Sequence, residues 1–223
     1  MTTGMTKNNR CVISLATKAG RYVDNLARLS NSLRDNFTTG DFLGFIHESS
    51  VGAPLHTDDP YAFKVYCFTK ARQLGYTSVL WLDTSCYTVG NIDQLFDRIE
   101  EQGVVFQDSG HKLGNWCNDV TLEYFHTTRD EAMTIPMIGN AGFLGVNTIH
   151  KRGNEFFIKW RHAQSCGLFK GSWDDHRHDM SCSSAIVHQM GLFDLAYKKD
   201  EVLQYGGIFD KTINDTIIIK AEG

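Results

Sequence analysis

No apolar run in the 223-residue sequence approaches the roughly 20 residues that a membrane-spanning helix needs. The first ten residues, Met1 to Arg10, lack the apolar centre of a secretion signal and read as a flexible extension with a second methionine at Met5. No lysine- or arginine-rich block gives a nucleic-acid footprint, and the formal net charge is only −4 with both signs interspersed. Cys-x-x-Cys pairs are missing as well. The six cysteines lie at wide spacings, which suits free thiols behaving as small apolar side chains rather than a zinc site. Repeats, low-complexity tracts and linkers are absent too. Together these absences predict a cytoplasmic protein with no membrane span and no nucleic-acid partner, organised as one domain over 11–223. A hydrophobic fraction of 42% and a charged fraction of 22% fit such a globular domain with a well-buried core.

What is present alternates. Cys11 to Ala16 is a short apolar run that stops at Thr17-Lys-Ala-Gly20, a buried strand feeding a loop. Val23, Leu26, Leu29 and Leu33 recur at helical spacing, and Asp41 to Ile46 reads as a second strand. Tyr61 to Leu74 is a helix closed by Gly75, Ser78 to Leu82 the clearest strand, Ile92 to Glu101 a helix and Val104 to Phe106 a strand. Glu155 to Cys166 and Ser181 to Met190 are further helices, and Thr216 to Ile219 is a last strand. Strand–helix alternation predicts an α/β fold with a mixed, mostly parallel sheet flanked by helices on both faces, Rossmann-like in plan. Two stretches, Asp108 to Asn118 and Lys170 to Asp179, read as long functional loops because they are polar yet rich in tryptophan.

Three constellations carry possible chemistry. Asp83 stands directly after the Ser78–Leu82 strand, where open α/β sheets bind ligands; it either reaches a ligand or caps the next turn. Met137 to Asn147 contains Asn140, Gly142 and Gly145, and its glycines either admit a ligand or loosen a core strand. Trp173 to Ser181 holds Asp175, His176, Arg177, His178 and Asp179. Arg177 suits bidentate phosphate binding, and Asp179 suits either a base or a helix cap. His176 and His178 have no third metal ligand beside them.

The segment L-D-T-S-C-Y-T-V-G-N-I-D-Q-L-F from Leu82 to Phe96 resembles the L-D-x-D region of glycosyltransferases with the GT-A fold. Together with Tyr61-Ala-Phe-Lys64, Trp81-Leu-Asp83-Thr-Ser85 and Arg177-His-Asp-Met-Ser181 it resembles a group of small viral and bacterial members, among them the glycosyltransferase domain of large chlorella viruses. The likeness runs roughly from Cys11 to Gly191. It implies a GT-A-like sheet and transfer of a sugar from a UDP-sugar, such as UDP-glucose or UDP-rhamnose, to a glycan acceptor. A Mn2+ or Mg2+ ion is implied at Asp83 and Ser85, a position where the wider family carries a second carboxylate. Donor contacts are implied for Thr17, Lys64, Asp83, Asn140, Arg177 and His178, and base roles for Asp179 and then Asp175. The late metal-binding histidine of many relatives has no counterpart between Thr216 and Gly223. His111, Trp116 and Trp173 either form an acceptor or sugar platform or simply pack the two polar loops. A sugar-nucleotide nucleotidyltransferase and a non-catalytic nucleotide-sugar-binding module are the alternatives; the first wants a glycine-rich basic loop that Ala16 to Arg21 only faintly provides.

Overall fold

In the computed structural model, residues 9–139, 142–206 and 218–222 are described. In chain order the strands are β1 Arg10–Ala16, β2 Asp41–Ile46, β3 Ser78–Leu82, β4 Cys86–Thr88, β5 Val104–Val105, β6 Asp108–Lys112, β7 Pro136–Ile138, β8 Phe143–Asn147, β9 Leu203–Tyr205 and β10 Ile219–Ala221. The helices are α1 Arg21–Asn36, α2 Ala62–Gln73, α3 Asp93–Gln102, α4 Asp119–Tyr124, α5 Arg129–Ala132, α6 Lys151–Ser165 and α7 Asp179–Gln189.

The main sheet has the order β2-β1-β3-β8-β5, with β1 parallel to β2 and β3, and β8 antiparallel to β3 and β5. Four strands therefore run one way and β8 the other. Alternation along the central strands feeds two apolar layers. Val12, Leu80 and Leu82 join Leu29 and Leu33 of α1 and Leu95, Phe96 and Ile99 of α3. Ile13, Leu15, Val79 and Trp81 join Phe63 and Phe68 of α2, Phe156 and Trp160 of α6 and Ile186 of α7. The expected two-faced α/β fold is therefore present, built as helix, sheet and helix layers. Small sheets, β4-β10-β9 and the β6-β7 pair, are added at one end.

Several local readings change. Arg10 opens β1 rather than closing an extension, with its guanidinium bonded to Glu100 and Asp97. Asp108–Lys112, read as loop, is a strand antiparallel to β7. Helix α6 starts at Lys151 because the His150 ring accepts the Arg152 N–H, a cap of unusual type. Gly145 lets the sheet approach α3, since a Cβ there would lie 2.5 Å from Ile99 Cδ1; Gly142 faces Leu203 and Tyr205 in the same way. These glycines serve packing rather than a bare ligand wall. In the last strand, Thr216 and Ile217 lie outside the described residues, and the pairing observed runs over Ile219–Ala221.

Candidate functional site

After β1 the chain crosses to β2 on one side and then, through α2, to β3 on the other. Neighbouring strands thus diverge between β1 and β3, and the crevice beyond their carboxyl ends is where such sheets bind ligands. Ile13 lies opposite Trp81, so the two strands finish side by side, Thr17 following one and Asp83 the other.

Asp83 is half-buried and its backbone N–H donates to the Gly142 carbonyl at 2.9 Å. Its Oδ1 accepts the Ser85 N–H at 2.9 Å, so the turn-forming role is real. Oδ2 has no hydrogen bond among the described residues, which leaves that oxygen for a ligand. The Ser85 carbonyl accepts from Arg28 Nη2 at 2.8 Å, and Arg28 also pairs with Glu222. Nothing in the sequence pattern links those two residues to this turn. Among the described residues no group of three or more His, Cys, Asp or Glu can hold a metal. The donors at the end of β3 are one carboxylate and one hydroxyl, both hard oxygens. That set fits Mg2+ or Mn2+ in the usual manner of one or two carboxylates completed by substrate phosphates and water.

Beneath the strand ends, Lys64 and Asp179 form a buried ion pair at 2.8 Å, their side chains 1% and 2% exposed. The Lys64 ammonium also lies 5.0 Å from the Tyr61 ring and 5.6 Å from the Trp81 ring. Burial pushes the Asp179 carboxyl above the usual carboxylate range, and the Lys64 charge draws it part of the way back. The expected alternative of a capping Asp179 is corrected here. His178 occupies the cap position, with φ 49°, no side-chain cap bond is made, and Asp179 is the first helical residue. Tyr61 keeps its proton firmly, first through burial and then through the charges of Asp179 and Asp83, so these groups share one neighbourhood.

The two histidines differ from a metal pair. His176 is fully buried, its Nε2 at 2.8 Å from the Leu168 carbonyl and its Nδ1 accepting the Asn118 N–H, so its ring is committed to the loop. His178 Nδ1 meets the Phe169 carbonyl at 2.8 Å, and its ring packs beside Tyr61 and Trp173. Asp175 is exposed on the loop before α7. Asn140 lies outside the described residues.

Beside the strand ends opens a cleft of about 590 Å3. His111 of β6 and Trp116 beyond it line this cleft together with Trp173, Arg177, Met180 and Tyr205. The three residues read as a possible sugar platform therefore line one cleft, which neither Asp83 nor Lys64 lines. No helix among the described residues is long and apolar enough to cross a membrane.

No protein-family model matches the chain, and no curated protein matches it. Solved structures do. The apo structure of the bifunctional glycosyltransferase WbbM superposes with a TM-score of 0.56 over 99% of this chain at 11% identity. The apo form of mouse xyloside xylosyltransferase 1 gives 0.52 over 95% at 10% identity. The chain spans 46% of the WbbM chain and 97% of the xylosyltransferase. The fold is thus GT-A-like, the fold of these glycosyltransferases.

Proposed function

We propose that this protein is a glycosyltransferase that moves a sugar from a nucleoside-diphosphate sugar to a glycan acceptor. The observation that carries the reading is Asp83: a carboxylate with one unbonded oxygen at the divergence of β1 and β3, in a fold shared with two glycosyltransferases. UDP is the nucleotide to expect, and UDP-glucose and UDP-rhamnose are the first donors, on the motif resemblance to the small viral and bacterial enzymes.

In this reading Thr17 meets the nucleotide, and Asp83 and Ser85 hold a Mn2+ or Mg2+ ion together with the donor's phosphates. That ion supplies Lewis-acid stabilisation of the leaving diphosphate. Lys64 is tied to Asp179, so it serves to fix the starts of α2 and α7 under the strand ends rather than to reach the donor as a mobile ammonium. Asp179 and Asp175 are the carboxylates proposed to take the acceptor's proton if the reaction inverts. Asp179 also holds the buried pair, so its loss disturbs fold and reaction together. Asp175 is exposed and gives the cleaner test.

The experiment is incubation of the full chain with a panel of UDP-sugars and manganese, with UDP release as the readout. Slow release from at least one donor supports a transferase. Release of nothing, with UDP bound, favours the non-catalytic module, and a requirement for a triphosphate or pyrophosphate favours the nucleotidyltransferase. Once an acceptor is known, Asp175→Asn lowers transfer by about a hundredfold or more if Asp175 is the base, and leaves it near the parent rate if it is not.

A further inference from the structure

Arg177 is a cation with no ion-pair partner among the described residues. Its guanidinium carbon lies 3.9 Å from the ring centroid of Trp116 and 3.9 Å from that of Trp173. Two indole rings at that distance pack against the guanidinium and hold it in place. No side-chain N–H of Arg177 finds an acceptor among the described residues, and Nη1 is buried without a partner. Its backbone N–H is satisfied separately, by the Trp116 carbonyl and the Ser181 hydroxyl. Burying part of a charge without a counter-charge is costly, and here the stacking holds the group in place regardless. With Nη1 buried, Nε and Nη2 form the edge left for two parallel bonds to one carboxylate or phosphate.

The place of Arg177 says which substrate supplies that oxyanion. It lines the cleft, whose volume of about 590 Å3 suits a mono- or disaccharide. None of Thr17, Lys64, Asp83 and Ser85, the groups over which the donor would lie, contributes to the wall. The neighbouring Asp108 has its Oδ1 engaged by the Gly110 N–H and makes no ion pair with Arg177. Lys199 adds a second positive charge at the same wall, where Asp108 and Asp200 supply two negative ones, neither of them in an ion pair with Arg177.

We propose that the acceptor carries an acidic group, a carboxylate or phosphate on its sugar, and that Arg177 holds this group between Trp116 and Trp173. The proposal rests on the glycosyltransferase reading, because it assigns the cleft to the acceptor and the strand ends to the donor.

The test titrates the full chain, without nucleotide, with methyl β-glucuronide, glucose 6-phosphate and methyl β-glucoside, reading tryptophan fluorescence; UDP with manganese is titrated separately. The expected result is binding of at least one acidic sugar about tenfold or more tighter than the neutral glycoside. Arg177→Gln removes that preference, and its loss falls on the acidic sugar rather than on UDP. Arg177→Lys, which keeps the charge but not the fork, retains only part of the preference and guards against a glutamine variant that fails to fold. Equal binding of acidic and neutral sugars, or binding of neither, overturns the proposal alone. A weaker grip on UDP in Arg177→Gln, with the acid preference intact, also overturns it and gives Arg177 to the donor's diphosphate. A parent chain that prefers the acid but ignores UDP with manganese contradicts the glycosyltransferase reading, and the acceptor assignment falls with it.

Discussion

Lys64 and Arg177 are both cations set between two aromatic rings near the same end of the sheet, yet their surroundings are opposite. Lys64 is buried against Tyr61 and Trp81 and meets Asp179 at 2.8 Å. Arg177 is stacked by Trp116 and Trp173 and meets no carboxylate among the described residues. A charge already answered inside the protein holds helices together, here the starts of α2 and α7. A charge left unanswered at a cleft is free to be answered by a ligand. The difference separates scaffold from recognition surface more clearly than residue type does.

The largest effect should come from breaking the answered charge. Lys64→Met strands the buried Asp179 carboxylate and should cost about 3–5 kcal/mol in urea unfolding. The double variant Lys64→Met, Asp179→Leu should recover much of that loss, because it removes both charges. A Lys64→Met loss no larger than about 0.5 kcal/mol, typical of a surface site, would erase the contrast with Arg177.

A second effect belongs to the loop that carries Arg177. Burial lowers the His176 pKa to about 4 from the ordinary 6.5, with the Leu168 carbonyl opposing. In the unfolded chain this ring takes a proton as pH falls through about 6.5, whereas in the fold it stays neutral down to about 4. Stability should therefore be unaffected by this group above that window and fall across it, by about 3 kcal/mol at most. Unfolding curves of the parent and His176→Gln at pH 7 and pH 4.5 check this. Equal pH dependence in the two proteins would show that the ring is not held neutral.

The smallest effect is the sharpest for the comparison. Arg177→Gln should change stability by no more than about 1 kcal/mol, since the lost cation–π stacking is offset by relief of an unpaired, partly buried charge. A loss in the range expected for Lys64→Met would place Arg177 among the structural charges.

The main sheet was legible because its physics is local. Cys11 to Ala16 and Ser78 to Leu82 are unbroken apolar runs, and Leu26, Leu29 and Leu33 repeat at helical spacing, so β1, β3 and α1 follow from pattern alone. Asp108–Lys112 carries no alternation and becomes a strand only through its partner β7, far along the chain. Helices α4 and α5, of six and four residues, are too short to display a period. At the site, the position of Asp83 could be read from its place after a buried strand. The Lys64–Asp179 pair spans 115 residues of sequence, and no local rule tells a buried lysine from an exposed one. The same holds for the tryptophans: the pattern offered a sugar platform or loop packing, but not their stacking on Arg177.

The central claim, that a nucleotide binds at the carboxyl ends of β1 and β3 through Asp83, is tested most directly by calorimetry of UDP with manganese on the parent and on Asp83→Ala. The parent should bind UDP only when the metal is present, and the variant should fold normally yet lose that metal-dependent binding. A variant that is less stable but binds UDP as tightly as the parent would reduce Asp83 to the residue that holds the Ser85 turn, and would contradict the account.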